Sequence, residues 1–486
     1  MSEPGLNAEA RARVRPPGEL GGRLGGLSLR GQVITLAIWP LLEQLMGFMV
    51  ASADLILAGH ASEGAERIAI MDALGLAAYV SWLMMILQGG VGTGVMALIS
   101  RAAGARDQKM ASLALGQGLL VGLLTGLAAG LGIRMLLGPV VSAYGLSEAA
   151  SASALEYLST LVWMCPALGV MLAATYALRA IGDTRTPFFA MVIVNAVNIS
   201  LSWLFVFGPE PFGGMGVRGL ALGTVLAWFV GMLVALGFLW FRRDEREDRT
   251  DGVELTLAEC SLRPDPAMMK RILRVGFPQA LEMFGMWAIN AVTLRFVAGL
   301  SPDGSLGAHL IAIRVESMSF LPGLAIGTAA AALTGQYLGA QNPEMAKRAV
   351  RMCWRYAAMF MSMVGVAFLL VPEGLVGIIV PGEGEDAALL VGLAAPLVLL
   401  CGVFQPILAT AMIMKHSLRG AGATRLVMIY SFASMILFRG VMVPVAVTYF
   451  GAGLRGIWLI MFADVAVQAA IFARIHFKGD WVKTEV

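Results

Sequence analysis

Residues 34–59 read ITLAIWPLLEQLMGFMVASADLILAG. A helix of this length rises about 39 Å at 1.5 Å per residue, enough to cross the ~30 Å hydrocarbon core of a bilayer. Two carboxylates interrupt the apolar run, Glu43 and Asp54. They are eleven residues apart, and at about 100° per residue they fall within roughly 20° of one helical face. An acid at membrane depth is costly, so it normally faces a protein interior or a water-filled path. A stretch of the same kind returns at 276–299 as GFPQALEMFGMWAINAVTLRFVAG.

Working outward, the chain of 486 residues is 58% hydrophobic and 14% charged, against about 25% charged in soluble domains. Its apolar runs are continuous rather than alternating, which predicts an all-α integral membrane protein and excludes a β-barrel. Six runs precede a polar interval at 242–271 and six follow it, so about twelve spans are expected. Residues 1–31 are rich in Arg, Gly and Pro with no apolar core, and read as a disordered tail without a secretory signal. Lys and Arg collect in alternate loops, such as Arg101 to Lys109, Arg242 to Arg249 and Lys347 to Arg351. The positive-inside rule therefore places both termini in the cytoplasm of a multi-pass inner-membrane (plasma-membrane) protein. The four cysteines show neither disulfide nor metal-ligand spacing, and the four histidines are scattered.

The two halves are copies. GTGVMALISRAAGARDQKMA (92–111) aligns with GTAAAALTGQYLGAQNPEMA (327–346), and LRAIGDTR (178–185) with LRGAGATR (418–425). Pro40 and Gly47 pair with Pro278 and Gly285, all at offsets of 235–240 residues. Six spans per copy is an even number, so both copies enter the membrane in one orientation, as in transporters built from parallel repeats. The expected architecture is an N-terminal six-helix lobe at 32–241, a linker at 242–271, a C-terminal six-helix lobe at 272–477 and a short tail at 478–486.

Several polar residues stand out inside the spans. Asp54 reads as a protonatable coupling site, with Glu43 on the same face. Asn195, Asn198 and Ser202 share one face of the fifth span; amides there either organise an ion path or act as interhelical glue. Second-lobe or substrate candidates are Glu282, Arg314, Glu316 and Gln405, with Gln44 the first-copy counterpart of Glu282. Arg439 and Asp464 fall near mid-membrane in adjacent spans and are expected to form a structural ion pair. Lys415 and His416 are expected to snorkel from a helix end. Gly118, Gly122, Gly126 and Gly130 form a close-packing stripe, and Thr186 with Pro187 is expected to open the fifth helix. GGVGTG at 89–94 lacks the GK[ST] of a phosphate loop, so no ATPase module, cofactor, metal centre or enzymatic site is expected.

Taken in order, Pro40–Asp54–Gly59, LRAIGDTRTP, Asn198-Ile-Ser-Leu-Ser202, GQYLGAQNPEMAKR, LRGAGATR, Arg439 before Pro444, and the ending GLRGIW…FKGDW resemble the multidrug and toxic compound extrusion (MATE) family from Ile34 to Trp481. The resemblance implies two six-helix lobes and alternating access. It also implies export of cationic or amphipathic organic compounds in exchange for H+ or Na+. Asp54 matches the family's first-helix acid and Asn198 its fifth-helix asparagine; Ser202 stands where many bacterial members carry aspartate. The expected partners are a small-molecule substrate and membrane lipids, with no nucleic acid, and the expected state is a monomer. Two rival readings remain open here. One is a lipid-linked-saccharide flippase of the same superfold, which calls for a cavity rich in Arg and Lys. The other is a non-transporting receptor or scaffold, which gives no reason for buried acids.

Overall fold

The computed structural model describes residues 19–241, 252–300, 304–380 and 384–484. Among them there is no strand, and twelve long helices follow in chain order. The first half holds α1 (Leu29–Ala61), α2 (Gly64–Ala105), α3 (Gln108–Ala143), α4 (Glu148–Ala180), α5 (Arg185–Phe207) and α6 (Gly216–Phe241). The second holds α7 (Pro266–Ala298), α8 (Ser305–Gly339), α9 (Pro343–Leu370), α10 (Glu385–Gly420), α11 (Thr424–Phe450) and α12 (Leu454–Lys478). All from α2 onward, eleven in total, are long and apolar enough to cross a membrane. The first, 33 residues long, carries the stretch at 34–59.

Local chemistry explains the helix ends. Asp107 accepts from the Met110 amide at 2.9 Å to open α3, and Ser147 accepts from Ala150 at 3.2 Å to open α4. α5 opens differently from expectation: the cap is Asp183, whose carboxylate accepts from the Thr186 amide at 3.2 Å and hydroxyl at 2.7 Å. An aspartate three residues ahead reaches the free amide better than Thr186, which already lies inside the helix. Gly451 and Gly479, at φ 62° and 81°, end α11 and α12 in the left-handed conformation that glycine takes without strain.

The chain forms two compact units. Unit 1 runs from the start to Gly26, from Ile38 to Ala280, and over Gly339–Asn342; unit 2 takes Leu27–Ala37, Leu281–Leu338 and Pro343 onward. The division thus falls inside α1 and α7 instead of in the 242–271 interval. It lies within three residues of Pro40 and Pro278, whose missing amides interrupt the helical ladder. Part of that interval, 242–251, lies outside the described residues. The remainder folds onto unit 1. Gln108 and Glu254 exchange two hydrogen bonds, at 2.6 and 3.0 Å, and Gln117 serves the Ser261 and Arg263 carbonyls and the Asp265 amide at 2.8–2.9 Å. The tail read at 1–31 shows the same correction. Residues 1–18 lie outside the described set, but Leu20 and Leu24 are buried, Leu24 packs beside Gly182, and Arg23 reaches Asp183 at 3.3 Å. Two apolar anchors and one ion pair hold residues 20–24.

In unit 1 the glycine stripe of α3 lies on α4 from Gly122 to Gly130, while Gly118 meets Val95 of α2. A methyl on Gly122 would stand 2.5 Å from the Gly169 carbonyl oxygen, and one on Gly126 2.5 Å from that of Cys165. Only glycine lets these backbones approach so closely. Unit 2 is built around Trp458, Phe368, Phe462 and Val398, with Trp458 Nε1 donating to His309 at 2.9 Å.

Candidate functional site

Asp54 sits on α1 with 6% of its surface exposed. Three other helices converge on it. Thr224 of α6 donates at 2.7 Å, Tyr157 of α4 at 3.0 Å and Asn198 of α5 at 3.3 Å. Asn198 also donates to Thr224 Oγ1 at 2.9 Å and lies 3.4 Å from the Ser202 hydroxyl, which faces the Leu220 carbonyl. Every donor is neutral. Among the described residues no cation lies within 4 Å of Asp54. A desolvated carboxylate held by neutral groups alone keeps a strong attraction for a small cation, because nothing nearby has cancelled its charge. The Asn198 Oδ1 oxygen is buried with no partner.

Of the residues expected at this centre, Asn198 is in contact and Ser202 stands behind it. Asn195 is not: its amide turns back to the Met191 carbonyl at 2.9 Å. Tyr157 and Thr224 were missed. The available signal was a lone phenol and a lone threonine hydroxyl, each buried in an apolar run.

Glu43 has a different role from Asp54 despite sharing its helical face. Its carboxylate is ion-paired with Arg179 at the end of α4, and that guanidinium also stacks over Tyr176 at 4.9 Å. Unit 2 repeats the arrangement. Arg419, the repeat counterpart of Arg179, pairs with Glu282 at 3.0 Å, and Lys415 adds a second contact at 3.3 Å. Glu43 lies three residues after Pro40, and Glu282 four after Pro278. Each unit therefore ties its first helix to its fourth with a glutamate–arginine pair. Glu282 is neutralised twice over, which removes the free charge expected of a second cation site. Lys415 does not snorkel; it spans Glu282 and, at 2.9 Å, Gln468.

Deeper in unit 2, Arg439 pairs with Asp464 at 2.8 Å and donates to Asn290 at 3.0 Å. It sits in a π-helical stretch of α11, Ile436–Met442. Asp464 also accepts from Gln468 at 2.7 Å. Gln405 accepts from Ser319 at 2.6 Å while its amide nitrogen stays buried and unpartnered. Glu316 is half-buried, Gln44 half-buried and Arg314 exposed. The structure does not bring Gln44 or Arg314 into either cluster. No group of three or more metal-ligating side chains occurs among the described residues.

A duplicated helical membrane bundle with a buried acid is the construction of a membrane transporter. Comparison with known proteins fixes the class more narrowly. The MatE family description matches residues 40–204 and 278–445, one stretch in each repeat, and the chain belongs to that family. It is 31% identical over 468 residues to a probable multidrug resistance protein NorM of Thermotoga maritima, covering 94% of both chains. A NorM of the same description from Burkholderia pseudomallei is 26% identical over 444 residues, 90% of both. Among solved structures, MATE in the bent conformation matches with TM-score 0.82 and 23% identity over 94% of this chain and 96% of that one. An outward-facing multidrug resistance MATE transporter matches with TM-score 0.83 and 22% identity over 94% and 98%. These likenesses bear out the resemblance, the all-α two-lobed fold and the absence of an enzymatic role. The protein is a multi-pass membrane transporter.

Proposed function

We propose that the chain is a cation-coupled antiporter that exports cationic or amphipathic organic compounds from the cytoplasm in exchange for H+ or Na+, with Asp54 as the coupling site. Both termini lie in the cytoplasm in this reading, and the protein works as a monomer without a cofactor. The observation that carries it is the Asp54 cluster: three neutral donors, no cation, and a burial that makes the empty charged state costly.

Binding a proton turns one carboxylate oxygen from acceptor into donor. The cluster then holds a hydroxyl in need of an acceptor, and the unpartnered Asn198 Oδ1 supplies it once that amide rotates. Rotation withdraws the Asn198 N–H from Thr224, so occupancy at α1 is read out on α5 and α6. A sodium ion would use the same carboxylate with the Asn198 oxygen and the hydroxyls of Ser202, Thr224 and Tyr157. Either ion drives export only by binding the two access states with different affinity. Each charge crossing adds about 2.3 kcal/mol per 100 mV.

The test is uptake of a fluorescent organic cation by everted vesicles under a pH gradient or a sodium gradient, with wild type beside Asp54→Asn. One gradient should drive uptake, and the substitution should abolish it while the protein still inserts. Equal uptake with asparagine at position 54 overturns the site; uptake under neither gradient favours the flippase reading.

A further inference from the structure

We propose that Glu316 is a second proton-exchange site, belonging to unit 2 alone, so that each lobe carries acid locked in ion pairs and one acid left to titrate. This extends the antiporter reading above and rests on it for its transport consequence.

In unit 1 the locked acid is Glu43, tied to Arg179, and the unlocked one is Asp54. In unit 2 the locked acids are Glu282, held by Arg419 and Lys415, and Asp464, held by Arg439. That leaves Glu316 as the acid inside a unit 2 span with no cation within 4 Å among the described residues. It is half-buried on α8, as a group must be if it is to meet water in one state and lose it in another.

Two groups on other helices interact with it electrostatically. Arg439 of α11 acts on it electrostatically, but its guanidinium is committed to Asp464 of α12 and Asn290 of α7. The Cys401 thiol of α10 lies in the field of Glu316, and His309 of α8 itself in that of Arg439. One turn along α8, Ser319 donates to Gln405 Oε1, while Gln405 Nε2, 0% exposed, has no partner. The π-helical stretch that presents Arg439 adds weight, since such stretches recur at functional sites.

The ligand chemistry favours a proton over a metal cation. A hard cation needs several oxygen donors. Among the described residues Glu316 belongs to no group of three or more metal-ligating side chains. The step is simple: the ionised carboxylate takes up H+ on one side of the cycle and releases it on the other, with no covalent or redox change.

The test uses full-length protein. First, infrared difference spectra in detergent, taken across a pH titration, follow the carboxylic-acid carbonyl band in an Asp54→Asn background. A titrating band should remain there and vanish in Asp54→Asn/Glu316→Gln; no such loss overturns the proposal, whatever transport shows. Second, proteoliposomes clamped at zero membrane potential give the ethidium gradient that balances a pH gradient of about one unit. Two protons per ethidium balance about a 100-fold gradient, and one proton about tenfold. Wild type and Glu316→Asp should give the larger ratio and Glu316→Gln the smaller. An unchanged ratio in an active Glu316→Gln protein overturns the second site. A spectral band that depends on Glu316 without any driven ethidium would instead refute the antiporter reading and leave the site standing.

Discussion

Replacing Glu43 with glutamine isolates what the α1–α4 ion pair does. Arg179 is 9% exposed, so the substitution leaves a guanidinium in the protein interior with its counter-charge gone. Breaking a buried pair this way costs about 3–5 kcal/mol. Two features of this pair move the expectation to the lower end. It is one-pronged, leaving Glu43 Oε2 and Arg179 Nε without partners, and the stacking of Arg179 on Tyr176 survives the change. A loss of about 3 kcal/mol, at about 2–4 °C per kcal/mol for a unit of this size, lowers the melting temperature by about 6–12 °C. Size-exclusion chromatography of heated, detergent-solubilised protein reads the shift. The double change Glu43→Gln/Arg179→Met removes both charges and should recover most of the loss, since an apolar replacement of a buried pair is often neutral. Gradient-driven transport, measured below the new melting point, should persist in both. If Glu43→Gln melts within about 2 °C of wild type while coupling is lost, Glu43 is an exchanging acid and the lock is refuted.

Two further outcomes follow from packing and burial. Gly122→Ala places a methyl 2.5 Å from the Gly169 backbone oxygen, which no side-chain movement relieves; a loss of about 1–3 kcal/mol should appear as reduced folded yield, whereas Gly132→Ala on the same helix, with open space around it, should be silent. Cys260, outside the spans, hydrogen-bonds to the Thr256 carbonyl at 3.1 Å, and burial with the neighbouring Glu259 carboxylate pushes its thiol up to about 12. The raised value favours the protonated thiol below that pH, so at pH 8 the thiolate fraction is on the order of 10⁻⁴. Maleimide labelling followed by peptide mass spectrometry should find Cys260 nearly unmodified at pH 8 and rapidly modified once detergent unfolding exposes it.

The fold was legible in the sequence because its causes are one-dimensional. Run length counts the spans, and the 235–240 offset between LRAIGDTR and LRGAGATR reveals the duplication. The site was legible in half. Asp54 and Asn198 announce themselves because charge and amide are rare in apolar runs. Tyr157 and Thr224 do not, because a hydroxyl that satisfies itself on its own helix looks the same as one that crosses to a carboxylate. Glu43 shows a deeper limit. Helical phase groups it with Asp54, but phase says only where a residue lies on a cylinder and not which helix packs there. Arg179 lies in LRAIGDTR with nothing beside it in sequence to name its partner, and its pairing with Glu43, 136 residues away, is one that no local pattern encodes. Glu282 went the same way, since Lys415 and Arg419 lie more than a hundred residues downstream.

The two glutamines of α3, Gln108 and Gln117, grip residues 254–265 mostly through backbone amides and carbonyls, as a neighbouring strand would, with one further bond from Gln108 to the Glu259 carboxylate at 3.1 Å. Such a grip depends little on the sequence it holds. The segment joining the two copies is therefore sewn to the first copy twice, once by the peptide chain and once by these bonds. A chain severed within 242–251 would lose only the first seam. The halves 1–241 and 252–486, made from separate messages, are expected to meet again through α3, so that the covalent join reads as a relic of the duplication more than a requirement of the assembled protein.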